Sequence, residues 1–250
     1  MRRFALCCRW VSGACFALAS SVQAAAADTK LEVSAQDLFG IIAPMEAQDS
    51  STVDLDFPII KWTEDKIRIS IWSGESTVDP IMDRKVLPLL EDISEATGLD
   101  FSGPATLPDA DLLIAVSPHL KDVVKYGVDV KTWFELAGGD FQSTAEHLRT
   151  EQPTCFYRLA ANDGVIERGF IFIPLVASDR EHSLCVVRGL LHVVGLRGKP
   201  VSGDAAQPKI GRALAVLDSV ALSILYDPAM KPGRSLLDSW SAAAKSRKAE

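Results

Sequence analysis

The residues best placed to do chemistry in this chain of 250 residues lie in Cys185-Val186-Val187-Arg188-Gly189-Leu190-Leu191-His192-Val193-Val194-Gly195-Leu196. The run is apolar on nearly every face and carries one arginine and one histidine a helical turn apart. It predicts a buried helix with Arg188 and His192 on one side. Two histidines at i and i+4 would converge on one metal ion, and a glutamate after the first would polarise a bound water. Here the first ligand position is Arg188, a permanent cation that repels a metal, and the base position is Gly189. A third ligand would fall at Gly198. His182 precedes His192 by ten residues and cannot share a metal with it along one straight helix. Neither a metal nor another cofactor is expected.

Other catalytic arrangements fare worse. No G-x-S-x-G elbow supports a serine nucleophile. A Cys/His pair would need Cys185 free, and about 10 Å of helical rise separates it from His192. Gly138-Gly139-Asp140 has neither the spacing nor the following Lys-Ser/Thr of a phosphate loop. Carboxylates such as Asp109 with Asp111 are ordinary in an acidic chain. Glu91, Asp92 and Glu95 are expected to form the solvated face of a helix, and His119 and His147 to lie on the surface. A buried Arg188 would require a carboxylate partner. Asp218 is the first candidate, with Glu181 and Glu167 as second choices, leaving His192 as a neutral, hydrogen-bonded core residue.

The N-terminus has the pattern of a secretory signal peptide. Met1-Arg2-Arg3 and Arg9 supply positive charge, Trp10 to Val22 a short apolar run, and Val22-Gln23-Ala24 or Ala25-Ala26-Ala27 a small-residue cleavage site. The run is too short and too interrupted by serine and glycine for a membrane span, so no stable span is expected after cleavage. Losing Arg2, Arg3 and Arg9 takes the formal charge from −7 to −10. Such a protein is not expected to hold nucleic acid or an anionic membrane by charge. Cleavage also removes Cys7, Cys8 and Cys15. Two cysteines then remain, Cys155 and Cys185, and in an exported chain they are expected to pair. A thiol at Cys185, inside an apolar helix, would in any case be inert.

These residues must be positioned by an α+β domain. Residues 1–27 form the leader, 28–54 an arm that can pack a short segment on the domain, 55–232 the domain, and 233–250 a polar tail. Lys66 to Trp72 alternate with period two, as a half-buried strand does. Asp79-Pro80 opens a helix with Ile81, Val86, Leu89, Leu90 and Ile93 as its apolar stripe, and Gly98 stops it. Asp111 to Val116 is an apolar strand, and 119–136 a helical stretch ended by Gly138-Gly139. Asn162-Asp163-Gly164 is a tight turn joining two arms of a hairpin. Pro174 places that end of the second arm at an edge or a strand terminus. Ser178-Asp179-Arg180-Glu181 is a capping box for the central helix, closed by Gly195 or Gly198 with Pro200. A last helix runs from about Ile210 to Tyr226.

Leu190-Leu191-His192-Val193-Val194-Gly195-Leu196, followed by Asp218-Ser219-Val220-Ala221-Leu222-Ser223-Ile224-Leu225-Tyr226, resembles the active-site helix and closing helix of matrixin-like zincins. The layout is also similar to that of a family of secreted bacterial proteins of unknown function. Trp62, Cys155, Cys185, Gly195-Leu196 and Leu225-Tyr226-Asp227-Pro228 carry that likeness. The resemblance covers about Ile60 to Met230 by scattered positions. It implies a zincin-like fold, with a small mixed sheet and a hairpin packed on a buried central helix and a closing C-terminal helix. The candidate pocket is Arg188, His192, Asp218 and Tyr226, with Cys155–Cys185 as the disulfide.

With the ligand and base positions replaced, the expectation is an exported, periplasmic or secreted, non-catalytic domain. It would bind an extended peptide or an envelope protein by strand addition, in a groove at the hairpin edge near Phe170 to Pro174. A hydrolase using His192 with residues from elsewhere is the second reading. The third is a structural envelope component assembling through Trp62, Trp72 and Trp133-Phe134.

Overall fold

The computed structural model describes residues 22–26, 29–44, 53–73, 81–118, 135, 155–175, 178–202 and 213–241. The expectations at Asp79-Pro80, His119, Trp133-Phe134, Gly138-Gly139-Asp140 and His147, and most of the leader, lie outside them. Strands β1 (Val22–Ala26) and β2 (Thr29–Val33) pair antiparallel, so the expected leader cleavage would divide them. Ser34 then caps α1 (Ala35–Ile42) in a capping box with Asp37, and Leu38, Ile41 and Ile42 enter the core.

The sheet is built from β3 (Lys66–Ser73), β4 (Asp100–Ser102), β5 (Leu112–Ser117), β6 (Phe156–Asn162) and β7 (Val165–Pro174), in the order β4-β3-β5-β7-β6. The first four strands of that order run parallel and β6 runs antiparallel to β7. The sheet is therefore mixed, as expected of an α+β domain with a hairpin. The hairpin turns at Asp163 and Gly164, both with positive φ (49° and 79°), which matches the right-handed twist of the strands it joins. Pro174 is the last residue of β7, where its missing N–H costs no ladder bond. β7 itself lies inside the sheet between β5 and β6. The groove expected along Phe170 to Pro174 is thus misplaced, because those residues are buried. The sheet edge beside the hairpin is β6.

Side chains alternate across the inner strands. Leu112, Ile114, Val116, Ile171 and Ile173 face the main core, while Leu113, Ala115, Phe170 and Phe172 form a second cluster with Trp72, Leu107 and Phe156. Burial on both faces explains the nearly continuous apolar run of these strands.

The helix after β3 begins with a π turn (Met82–Val86) and continues as α2 (Leu87–Thr97). Pro88 cannot donate to the carbonyl four residues back and would crowd it. The wider turn just before it, closed by Leu87 N–H to the Met82 carbonyl, absorbs that conflict. Gly98, at φ 78°, ends α2. Asp92, expected to be solvated, instead accepts from the backbone of Ala213 and Leu214 at 2.7 and 2.9 Å. It fixes the approach to α4 (Val216–Leu225), which packs against α1 and α2.

Helix α3 (Asp179–Val193) lies on β6 and β7. Its capping box forms, with the Ser178 N–H donating to Glu181 at 2.7 Å. Gly189 brings the helix onto β7, for a Cβ there would come within 2.9 Å of Ile171.

Residues 233–241, expected as part of a polar tail, close the core instead. The Ile59 N–H donates to Arg234 O, Gly233 to Ile59, Leu236 to Phe57 and Leu237 to Leu55. Leu236 is 0 % exposed, and Trp240 meets Phe39 edge-on at 5.0 Å. The return is a turn with a single bridge, Ser235 to Pro58, followed by a short helical segment over 236–241, and its few apolar residues in a polar context conceal it in the sequence.

Candidate functional site

Three elements meet at the C-terminal end of α3. The helix stops in a Schellman motif, with Gly195 N–H to His192 O and Leu196 N–H to Leu191 O, both 3.0 Å. Gly195 takes φ 102°, and a Cβ there would lie 2.1 Å from the Ile60 carbonyl oxygen, so the reversal requires glycine. The remaining helix-end carbonyls are met from outside. Trp62 Nε1 donates to Val193 O at 2.9 Å, and the Tyr226 hydroxyl donates to Val194 O at 3.0 Å. Lys61 does the same for α4, reaching Leu225 O and Asp227 O at 3.1 and 3.2 Å. Burial first, then Lys231, lower the Lys61 pKa, and Asp227 partly opposes them.

The reversed chain then runs along the end of α1. Backbone N–H groups of Arg197, Gly198 and Lys199 donate to the carbonyls of Ile42, Ile41 and Gly40. This satisfies the end of α1 and returns Arg197 to His192. Arg197 Nη1 lies 2.9 Å from His192 Nε2. Since a guanidinium only donates, Nε2 accepts and the ring proton sits on Nδ1. The ring of Tyr157, on the edge strand β6, packs against the imidazole with centroids 4.8 Å apart.

Sequence reasoning anticipated the neutral, hydrogen-bonded state of His192 but missed Arg197 and Tyr157 as its neighbours. Arg188 is exposed and is not the buried cation expected. Asp218 is buried, at 0 % exposure, but serves another partner. Its carboxylate accepts from Val201 N–H at 2.9 Å and Ser202 N–H at 2.7 Å, and from the Ser202 hydroxyl. The expected Arg188–Asp218 tie is replaced by this loop clasp, because Asp218 sits in the first turn of α4 facing 201–202. Tyr226 is also structural: its hydroxyl accepts from Trp62 N–H while donating to Val194 O, and burial raises its pKa. Of these four residues, Asp218 and Tyr226 hold backbone groups of the fold, Arg188 lies on the surface, and His192 meets Arg197 and Tyr157. Cys155 and Cys185 are disulfide-bonded, joining the start of β6 to α3.

Burial, then the Arg197 charge, push the His192 pKa down from 6.5 to about 3. Unfolding restores the ordinary affinity, so between these values the unfolded chain binds the extra proton. Stability is full above pH 6.5 and falls as the pH drops toward 3, by roughly 1–2 kcal/mol between pH 7 and pH 5 for a part-exposed ring. His192→Gln should flatten this dependence in urea titrations. An unchanged slope would mean that the imidazole is not held neutral in the fold.

Among the described residues, no three His, Cys, Asp or Glu side chains are grouped so as to hold a metal ion. No helix among them is long and apolar enough to cross a membrane. Trp62 is in the core, and Trp72, half-buried, packs on the second sheet cluster. No protein-family model matches the chain, and no curated protein matches it.

Proposed function

We propose that the chain is an exported, non-catalytic domain with a zincin-like core that binds an extended segment of a peptide or envelope protein along β6. The observation that carries this reading is the junction of the edge strand β6 with the end of α3. There Tyr157, His192 and Arg197 form a polar floor beside a strand with a single strand neighbour among the described residues. Such an edge offers main-chain groups to an added strand, while the floor offers side-chain discrimination. The basic lone pair of His192 is already engaged by Arg197, a group that cannot accept a proton, which favours binding over general-base chemistry. The order strand, helix, strand, hairpin, central helix and closing helix supports the zincin-like reading, as does the turn at Gly195. The Cys155–Cys185 bond supports export.

The test is hydrogen–deuterium exchange of the purified protein with a panel of N-acetylated extended decapeptides. Binding should slow exchange in β6 and at the end of α3. Binders that protect a different face, or peptides that are cleaved on incubation, would overturn the reading.

A further inference from the structure

Among the described residues, Arg68 on the surface and the part-buried Lys85 are held by acids, whereas Arg197 is not. Arg68 is held by Asp111, through Nε at 2.9 Å and Nη2 at 2.8 Å, and Lys85 meets Asp179 at 2.8 Å. Arg197 is part-buried, and among the described residues no carboxylate pairs with it. Its side-chain hydrogen bond goes to a neutral imidazole. Burial works against its charge, and Tyr157 is the neighbour that favours it. A guanidinium withdrawn from water without an anion is costly unless a ligand supplies one. The fold nonetheless fixes it in place, through the Schellman turn and the Arg197 N–H bond to Ile42 O.

We propose that Arg197, with His192 and Tyr157, recognises a carboxylate on the bound segment. This deepens the peptide-binding reading and rests on it for the identity of the ligand. The chemistry favours a carboxylate over a phosphate. One guanidinium matches a single negative charge, and its planar fork keeps donors besides the Nη1–H given to His192 for a planar acceptor. Neutral His192 retains Nδ1–H as a further donor, and the Tyr157 hydroxyl can donate as well. The carboxylate can be a chain terminus or an acidic side chain.

The experiment uses the full disulfide-bonded chain and fluorescent N-acetylated pentapeptides of one apolar sequence. One has a free C-terminal carboxylate, one is amidated, and one is amidated with an internal glutamate; acetate alone is titrated separately by NMR. At least one carboxylate peptide should bind ten-fold or more tighter than the neutral amide. Which one does so identifies the source. Arg197→Gln should erase the difference and Arg197→Lys should keep part of it, with both variants retaining the wild-type circular dichroism. Acetate should shift the His192 ring resonances in the wild type and not in Arg197→Gln. Equal binding of all three peptides would overturn the carboxylate site while sparing peptide binding. An acetate response confined to Arg197-containing protein, with no peptide bound, would support the site and overturn the peptide reading. Neither response would overturn both.

Discussion

Replacing Asp218 by alanine is expected to destabilise the protein by about 3–5 kcal/mol, since it leaves two backbone N–H groups and a hydroxyl without their acceptor in a buried place. The carboxylate holds Val201 and Ser202, and Ser202 Oγ in turn accepts from Ala215 N–H at 2.8 Å at the start of α4. One side chain thus sets both the loop after the site and the helix that closes the core. Asp218→Asn keeps one oxygen acceptor and should lose less. Arg188→Ala should cost less than about 1 kcal/mol, because that side chain is exposed. Urea midpoints at constant slope measure all three. If Arg188→Ala proved as costly as Asp218→Ala, the loop clasp would not be the role of the buried acid.

Removing both cysteines, as Cys155→Ala with Cys185→Ala, should cost about 3–4 kcal/mol through the freedom returned to the unfolded chain. The bond spans 30 residues and has a local consequence as well. Cys155 lies two residues before Tyr157, and Cys185 lies on the helix that carries His192. Reduction should therefore loosen the contact between these two rings, seen as a change in the ring-current shifts of His192. Equal stability of the oxidised and reduced forms would exclude the bond as a structural tie.

The elements with strong local signals were legible in the sequence. Ser178 and Glu181, Gly98, Asp163-Gly164 and Gly195 each impose a backbone geometry of their own, and all four ends fall where they point. The tie at Cys155–Cys185 joins the two cysteines that lie outside the N-terminal segment, as expected from the sequence. Long-range polar pairings were not. The apolar neighbours of Arg188 predict burial, but its side chain points to solvent. Arg197 follows the helix in a segment that looks like an ordinary loop. Its return to His192 depends on the reversal at Gly195 and on the carbonyls of α1, far earlier in the chain. Asp92 likewise has an acidic pattern that fits a solvated face equally well, and Asp218, rightly expected to pair inside the fold, has a different partner from the one expected. What they bind are bare backbone N–H groups, and these have no signature in sequence. β4, only three residues long, is set by pairing with β3 rather than by its own pattern.

The pairing of residues 55–59 with 233–237 has a consequence for how the molecule comes to exist. Nearly the whole described chain lies between these two partners, so their bonds belong to the most distant contacts in the fold. Ile59 and the turn at Gly164 reach their final surroundings only after the last stretch has arrived. A chain emerging from a ribosome or through a membrane pore would stay open at this seam until about residue 237, and non-local closure of this kind is slow. The strands of the sheet all precede the last stretch, so the seam is the part of the fold that waits for the end of the described chain.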